Sequence, residues 1–114
     1  MSARIKKNID FLHLLTNACK AKSRRRDLMN FANKDEVDSV CECVENFLCG
    51  NVQDQRLKRK LRKYKTTLRL LRDKKKSIKK KKLAIVQHGG FLQALLIPML
   101  SLASGLIGDA IARR

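Results

Sequence analysis

Apolar residues recur every three or four positions along most of this chain and almost nowhere alternate. Ile5, Ile9, Leu12, Leu15 and Cys19 share one helical face, with Lys6, Lys7 and Asp10 between them. That spacing predicts an amphipathic first helix from Ala3 to about Lys22. Ser23 is placed to cap a short second helix, Arg24 to Ala32, burying Leu28, Met29 and Phe31. Asn33-Lys34-Asp35-Glu36 has the form of a capping box, with a side-chain acceptor at Asn33 and a carboxylate three residues on. Asp35, Glu36 and Asp38 suit the positive end of the helix that follows. This third helix is expected to bury Val37, Val40, Cys41, Val44 and Leu48 and to end at Gly50, a residue that takes the left-handed cap without a Cβ penalty.

The longest stripe comes next. Leu57, Leu61, Tyr64, Leu68 and Leu71 are separated by steps of four, three, four and three. Ile78 continues the phase after one position occupied by Lys75. The pattern predicts one helix from Asp54 to Lys82, about 43 Å long at 1.5 Å per residue. Its first half would close a small bundle and its second half would project as a charged arm. The same stripe could pair with a second copy, but it is too short for a convincing coiled coil. No alternating run of β-branched residues is bounded by turn residues, so no strand is expected.

Charge changes the picture. The formal net charge of the 114-residue chain is +17. Between Asp54 and Lys82 stand sixteen Lys/Arg against only Asp54 and Asp73, so +14 of the +17 lies there. Residues 1–53 are nearly neutral, with nine basic and seven acidic side chains. An excess of this size calls for a polyanionic partner, nucleic acid phosphates or an anionic membrane surface. Four Phe, one Tyr and no Trp argue against a base-stacking module and favour sequence-independent contact with phosphates. The candidate nucleic-acid-binding residues are Arg56, Lys58, Arg59, Lys60, Arg62, Lys63, Lys65, Arg69, Arg72, Lys74, Lys75, Lys76, Lys79, Lys80, Lys81 and Lys82. Double-stranded DNA is the expected partner.

Cys19, Cys41, Cys43 and Cys49 do not make a metal motif. Cys41-Glu-Cys43 lacks the C-x2-C spacing of common zinc sites and no second pair follows. The start of the chain, with its apolar residues broken by Lys6, Lys7, Asn8 and Asp10, lacks the pattern of a signal peptide. Free thiols in a reducing compartment, used as small buried hydrophobes, are therefore expected. His13 and His88 are far apart, and no nucleophile–base pairing or phosphate loop is suggested. The expectation is a non-enzymatic protein with no cofactor and no metal.

The last third of the chain switches from charge to apolarity. Lys74–Lys82 leads into LAIVQH, then Gly89-Gly90, then an apolar run from Phe91 to Gly108 without formal charge. Eighteen residues is the lower edge for a membrane span, and Gln93, Pro98, Ser101 and Ser104 weaken that reading. Three placements compete: a span, an interfacial or capsid-docking peptide, and a core helix of the bundle. The residues expected at a membrane or capsid are Phe91, Leu92, Leu95, Leu96, Ile97, Pro98, Met99, Leu100, Leu102, Leu106 and Ile107. The paired glycines read as a flexible, uncrowded site that a protease can enter.

The order of these features, with QHGG followed by FLQALLIPMLSLASGLIG, resembles the carboxyl end of the adenovirus precursor of core peptide mu. In that family a basic condensing peptide precedes a glycine-glycine site for the viral cysteine protease, and an apolar proline-containing tail follows. The resemblance puts Gln87, His88, Gly89, Gly90 and Phe91 at the cleavage site, with an adenain-like protease as processing enzyme. Leu95-Leu96-Ile97-Pro98-Met99-Leu100 corresponds to the family's leucine/isoleucine-proline stretch, and the lysine run fills the condensing role. The basic region is lysine-rich where the family is arginine-rich, Gln87 replaces the usual methionine, and residues 1–53 have no counterpart. These departures point to the core-protein relatives carried by adintoviruses and Maverick/Polinton elements.

The sequence is thus expected to be all-α. A small helical domain (1–53) precedes a basic helix and lysine-rich arm (54–88), and a glycine hinge carries a separate apolar helix (89–114). The function implied is a virion core protein that condenses DNA in the virion interior and host nucleus. The alternative is a small membrane protein whose lysines bind anionic lipid.

Overall fold

The computed structural model describes residues 3–51 and 55–104, and every regular element among them is helical. In chain order these are α1 (Ala3–Lys7), α2 (Ile9–Ala18), α3 (Lys22–Phe31), α4 (Lys34–Asn46), a π-helical turn (Phe47–Asn51), α5 (Gln55–Lys60), a 3-10 turn (Leu61–Tyr64), α6 (Lys65–Arg72), α7 (Ile78–His88), a second 3-10 turn (Gly89–Phe91) and α8 (Leu92–Ser104). The all-α class is as expected. The lengths of the helices differ from the sequence reading, and each difference has a local cause.

The expected first helix is divided at Asn8. The Asn8 amide donates to the Arg4 carbonyl at 2.9 Å and to Asp35 Oδ2 at 2.8 Å, so a side chain competes with the helical ladder. The same carboxylate receives Arg4 Nε at 3.1 Å, which ties α1 to the first turn of α4. These contacts, the Asn8 amide first, hold the Asp35 carboxyl below its ordinary range. Ser23 is not the cap of α3. That helix starts two residues earlier than expected, at Lys22 after an extended Ala21, and Ser23 is exposed within it. Phe31, expected inside, is 88% exposed at the end of α3, on the side that carries Asp27 and Arg24.

The capping box forms as its sequence requires. Asn33 Oδ1 accepts from Glu36 N at 2.8 Å, and Glu36 Oε1 accepts from Asn33 N at 2.9 Å. Val37, Val40 and Val44 are fully buried on α4, joined by Cys43, while Cys41 is half-buried. Gly50 does not end the helix by a left-handed cap. It lies inside the π-helical turn, where the wider winding keeps Phe47 in the core and leaves Leu48 39% exposed.

The expected 54–82 helix is three pieces. Asp73 takes an extended conformation after α6, and its carboxylate accepts from Lys75 N at 2.9 Å. Ser77 then caps α7 by accepting from Lys80 N at 3.2 Å. Two turn-forming side chains four residues apart thus fold the chain back. The second half of the basic segment is therefore no projecting arm: α7 buries Ala84, Ile85 and Val86 and packs on α3, α4 and α6.

The apolar C-terminal helix is present, but it is not set apart from the bundle. Leu92, Leu95, Leu96 and Met99 are fully buried and Leu100 nearly so. They share one core with Leu12 and Leu15 of α2, Val40 and Val44 of α4, and Leu68 and Leu71 of α6. The helical pairs are α2 on α8, α3 on α7 and α4 on α6. Of the three placements open to this segment, the structure takes the core helix. The three sequence segments 1–53, 54–88 and 89–114 all supply residues to that core. The physical reason is size: residues 1–53 alone offer too little apolar surface to close a stable domain.

A chain ending at Gly90 should therefore lose its fold. It lacks Phe91 and five buried aliphatic side chains of α8, each worth about 1.5–3 kcal/mol. Their sum rivals the whole stability of a small domain, about 5–15 kcal/mol. Circular dichroism of residues 1–90, and of full-length Leu95→Asp, should show a large loss of helix. Retention of the full helical signal by both would mean that α8 does not support the bundle.

Candidate nucleic-acid interface

The basic residues divide into three groups by where the helices place them. The first group points outward. Arg59 and Lys60 of α5, Lys63 of the first 3-10 turn, Lys74, Lys75 and Lys76 of the 73–77 corner, and Lys79 and Lys80 in the first turn of α7 are all exposed, as is Arg56. The chain fold brings α6 and α7 together, so the corner lysines and the start of α7 sit at one end of the α6–α7 pair. Lys63 Nζ lies 5.3 Å from the Tyr64 ring centroid, close enough for a cation–π contact.

The second group lines a groove. Lys58, Arg62, Lys65, Arg69 and Arg72 fall at steps of four, three, four and three, one position after each member of the apolar stripe. With Phe47, Leu48, Leu61 and Leu68 they surround a cavity of about 610 Å³ between the π-helical turn and α5–α6. Phe47, Leu61 and Leu68 are buried, and Leu48 is the exposed apolar member. Arg72 already holds a carboxylate: its Nε donates to Glu45 Oε2 at 2.6 Å and its Nη2 to Oε1 at 3.3 Å. This contact keeps Glu45 below its ordinary carboxyl range.

The third group is withdrawn from solvent. Lys81 is only 5% exposed, and it lies beside Cys41. Lys82 donates its Nζ to the Ala32 carbonyl, bridging α7 to the end of α3. Both were expected to meet phosphate. Lys81 is packed away because it shares the face of Ile78 and Ile85 that turns inward, and Lys82 is engaged in the helix pairing.

A buried arginine that the sequence reading missed controls the glycine junction. Arg25 of α3 is 6% exposed. Its Nε donates to the carbonyls of Ile85 and Val86 at 3.1 and 3.2 Å, its Nη2 to Val86 at 2.9 Å, and its Nη1 to Cys19. These are carbonyls at the C-terminal ends of α7 and α2, where the helix dipoles concentrate negative potential. The signal was available: Arg25, Met29 and Ala32 lie four and three residues apart, on the inward face of α3.

The paired glycines are consequently not an open hinge. Gly89 is buried, and a Cβ there would lie 2.9 Å from Arg25 Cδ and 3.4 Å from Ile85 Cγ2. Gly90 is exposed. Phe91 is buried and stacks on Tyr64, with ring centroids 4.7 Å apart and planes 30° from parallel. Gln87 and His88 are exposed at the end of α7. The residues expected at a cleavage site, Gln87 to Phe91, lie at the end of α7 and in the 3-10 turn that follows. Of the residues expected at a membrane or capsid, Phe91, Leu92, Leu95, Leu96, Met99 and Leu100 face the core instead, because α2 covers them. Pro98 is half-buried and Ile97 is 52% exposed. Leu102 is described only as part of the α8 backbone, and Leu106 and Ile107 lie outside the described residues. One stretch among the described residues, Ile78–Leu100, is long and apolar enough to cross a membrane, and half of it is buried within the bundle.

No group of three or more potential metal ligands forms among the described residues. Burial pushes the Cys19 and Cys41 thiols up to about 11 and that of Cys43 up to about 12, so all three stay protonated at neutral pH. Cys49 is exposed, and its hydrogen bond to Glu45 also raises its pKa.

Comparison with protein-family models, curated proteins and solved structures finds no match.

Replacing Arg25 with Met should cost about 1–3 kcal/mol, since buried carbonyls lose their donor while the desolvated charge is relieved. Urea unfolding should show it, and Gly89→Val should destabilise by overpacking against the same side chain. In the native protein a disulfide reagent at pH 8 should modify Cys49 fast, with Cys19 and Cys43 reacting only on unfolding. Rapid modification of Cys43 would contradict its packing.

Proposed function

We propose that this chain is a non-enzymatic packaging protein that binds double-stranded DNA through phosphate contacts, without sequence preference. The observation that carries this reading is the dense set of exposed cations on α5, the first 3-10 turn, the 73–77 corner and the first turn of α7, in a stretch with only two acids. Lysine dominates the corner, and a flexible point charge needs no fixed geometry to meet a phosphate. The one aromatic ring in the stretch, Tyr64, is half-buried and stacked on Phe91, which leaves no platform for single-stranded bases. Association is then driven by release of condensed counterions.

The resemblance to the adenovirus core-peptide precursor supports the same reading, with the virion interior and host nucleus as its setting. On that reading a viral cysteine protease cuts between Gly90 and Phe91. A protease binds its substrate extended, whereas this bond lies in a helical turn held by Arg25 and by the Tyr64–Phe91 stack. Cleavage therefore requires the turn to open first. Because α8 supplies core residues, a cut followed by loss of the tail would turn a folded precursor into an extended basic chain. The membrane reading is the weaker one, since most of the large apolar side chains of Ile78–Leu100 are already covered by protein.

Duplex DNA of unrelated sequences should bind with similar affinity. If about six phosphates are neutralised, affinity should fall roughly a thousandfold or more between 50 and 200 mM salt. Replacing Lys74, Lys75, Lys76, Lys79 and Lys80 with Gln should lower the slope of log affinity against log salt by roughly three to four. A flat salt response, or strong preference for one site, would overturn the proposal. A glycine-glycine-specific cysteine protease should cut the native chain slowly and the Arg25→Met variant faster. Equal rates would remove Arg25 from control of the junction.

A further inference from the structure

We infer that the groove between the π-helical turn and α5–α6 is a docking site for an acidic amphipathic helix of a partner protein. It uses the groove-lining cations, of which Arg62, Lys65, Arg69 and Arg72 are also exposed, rather than those of the 73–77 corner and the start of α7. Lys58, Arg62, Lys65, Arg69 and Arg72 all line the groove, spaced three or four residues apart along α5, the 3-10 turn and α6. From the first to the last is about 21 Å at helical rise. Three or four residues is also the interval at which acidic side chains recur along one face of a helix.

Three features decide among occupants. First, the wall carries five cations, and no acid is among the described lining residues. A single carboxylate, as on a fatty acid, would leave most of them unmatched, whereas a stripe of Glu or Asp would match them along its length. Second, the groove has an apolar side. Leu48 is 39% exposed at its edge because the π-helical winding turns it out of the core, and buried Phe47 lies next to it. Nucleic acid backbone offers nothing apolar to cover Leu48, while an amphipathic helix does. Third, one lining cation already holds a carboxylate, which is not itself among the described lining residues. Glu45, on the neighbouring helix α4, is held by Arg72 through two hydrogen bonds. An incoming acidic stripe would extend that arrangement along Arg69, Lys65, Arg62 and Lys58.

The probe is a fluorescent synthetic helix of about eighteen residues, with Glu at three- and four-residue steps and Leu along the adjoining stripe. Anisotropy against the full chain should show saturable binding at 150 mM salt. Replacing the Leu stripe by Ala, at constant charge, should weaken binding roughly tenfold, the effect of losing one buried leucine contact. Leu48→Gln should weaken the peptide by a similar factor and leave duplex DNA affinity unchanged. Lys65→Gln with Arg69→Gln should weaken the peptide even though Leu48 is intact. Equal binding of the Leu and Ala peptides, or an unchanged affinity for Leu48→Gln, would overturn the proposal and reduce the groove to a general polyanion surface. Preference for anionic phospholipid vesicles over the peptide, lost in Leu48→Gln, would overturn it in favour of lipid. Failure of duplex DNA to bind would count against the packaging function and not against this site.

Discussion

The contact between α2 and α8 is the constraint on which the rest of this structure depends. The middle of the chain carries sixteen cations and two acids, and such a segment repels itself when compacted. Its own apolar stripe is one residue wide and cannot bury itself. The segments on either side supply what it lacks: Phe11, Leu12 and Leu15 from α2, Leu92, Leu95, Leu96 and Met99 from α8, all in one cluster with Leu61, Leu68 and Leu71. With α8 folded back on α2 and α4, the core is closed, α4 presents a surface to the leucines of α6, and most of the basic charges are left on the outside. The apolar tail and the basic segment look like two activities in the sequence, and in the fold each depends on the other.

Folding α8 back requires a tight turn after α7, and here Arg25 matters. A buried guanidinium without a carboxylate partner carries a desolvation cost. It is offset by the carbonyls of Ile85, Val86 and Cys19, which would otherwise end two helices without donors in the interior. One side chain thus closes the C-terminal ends of α2 and α7 and fills the space beside Gly89. That glycine is needed for the close approach of Arg25, a packing role, where the sequence alone suggested flexibility. The Tyr64–Phe91 stack fastens the other side of the turn to the junction between α5 and α6.

What was legible in the sequence was local. The capping box at Asn33 and Glu36 formed in both of its bonds, because its partners lie within one turn and compete with nothing. Leu12 and Leu15 of α2 and Val37, Val40 and Val44 of α4 were legible for the same reason, whereas buried Phe11 and Cys43 were not, and Cys41 is only half-buried. The breaks in the basic helix were not legible, because a periodic stripe says nothing about turn residues standing on its polar side. Asp73 and Ser77 are such residues, and with like-charged lysines between them the helix stops. The placement of the tail was also out of reach. Eighteen uncharged residues have the same composition whether lipid or protein covers them, and only the presence of α2 opposite decides. Phe31 and Leu48 show the limit from the other direction: both are large and apolar, yet Phe31 lies on the exposed face of α3 with Arg24 and Asp27, and Leu48 is turned outward in the π-helical turn.

The position of each cation relative to the apolar stripe determines which partner it can meet. A helix that buries one narrow stripe has two flanks. On α5–α6 one flank faces the π-helical turn across a groove, and the other flank, with the corner lysines, faces open solvent. On the proposed function, a wide, stiff duplex would meet the open side, where exposed Lys74–Lys76, Lys79 and Lys80 stand. A groove of about 610 Å³ admits something slender, and its apolar rim at Leu48 rewards a ligand with a dry face. Charge of one sign on one helix is therefore not a single interaction surface. The geometry separates it into cations at the 73–77 corner and the start of α7 and cations that line the groove, and the proposed duplex and acidic-helix partners would draw on different sets.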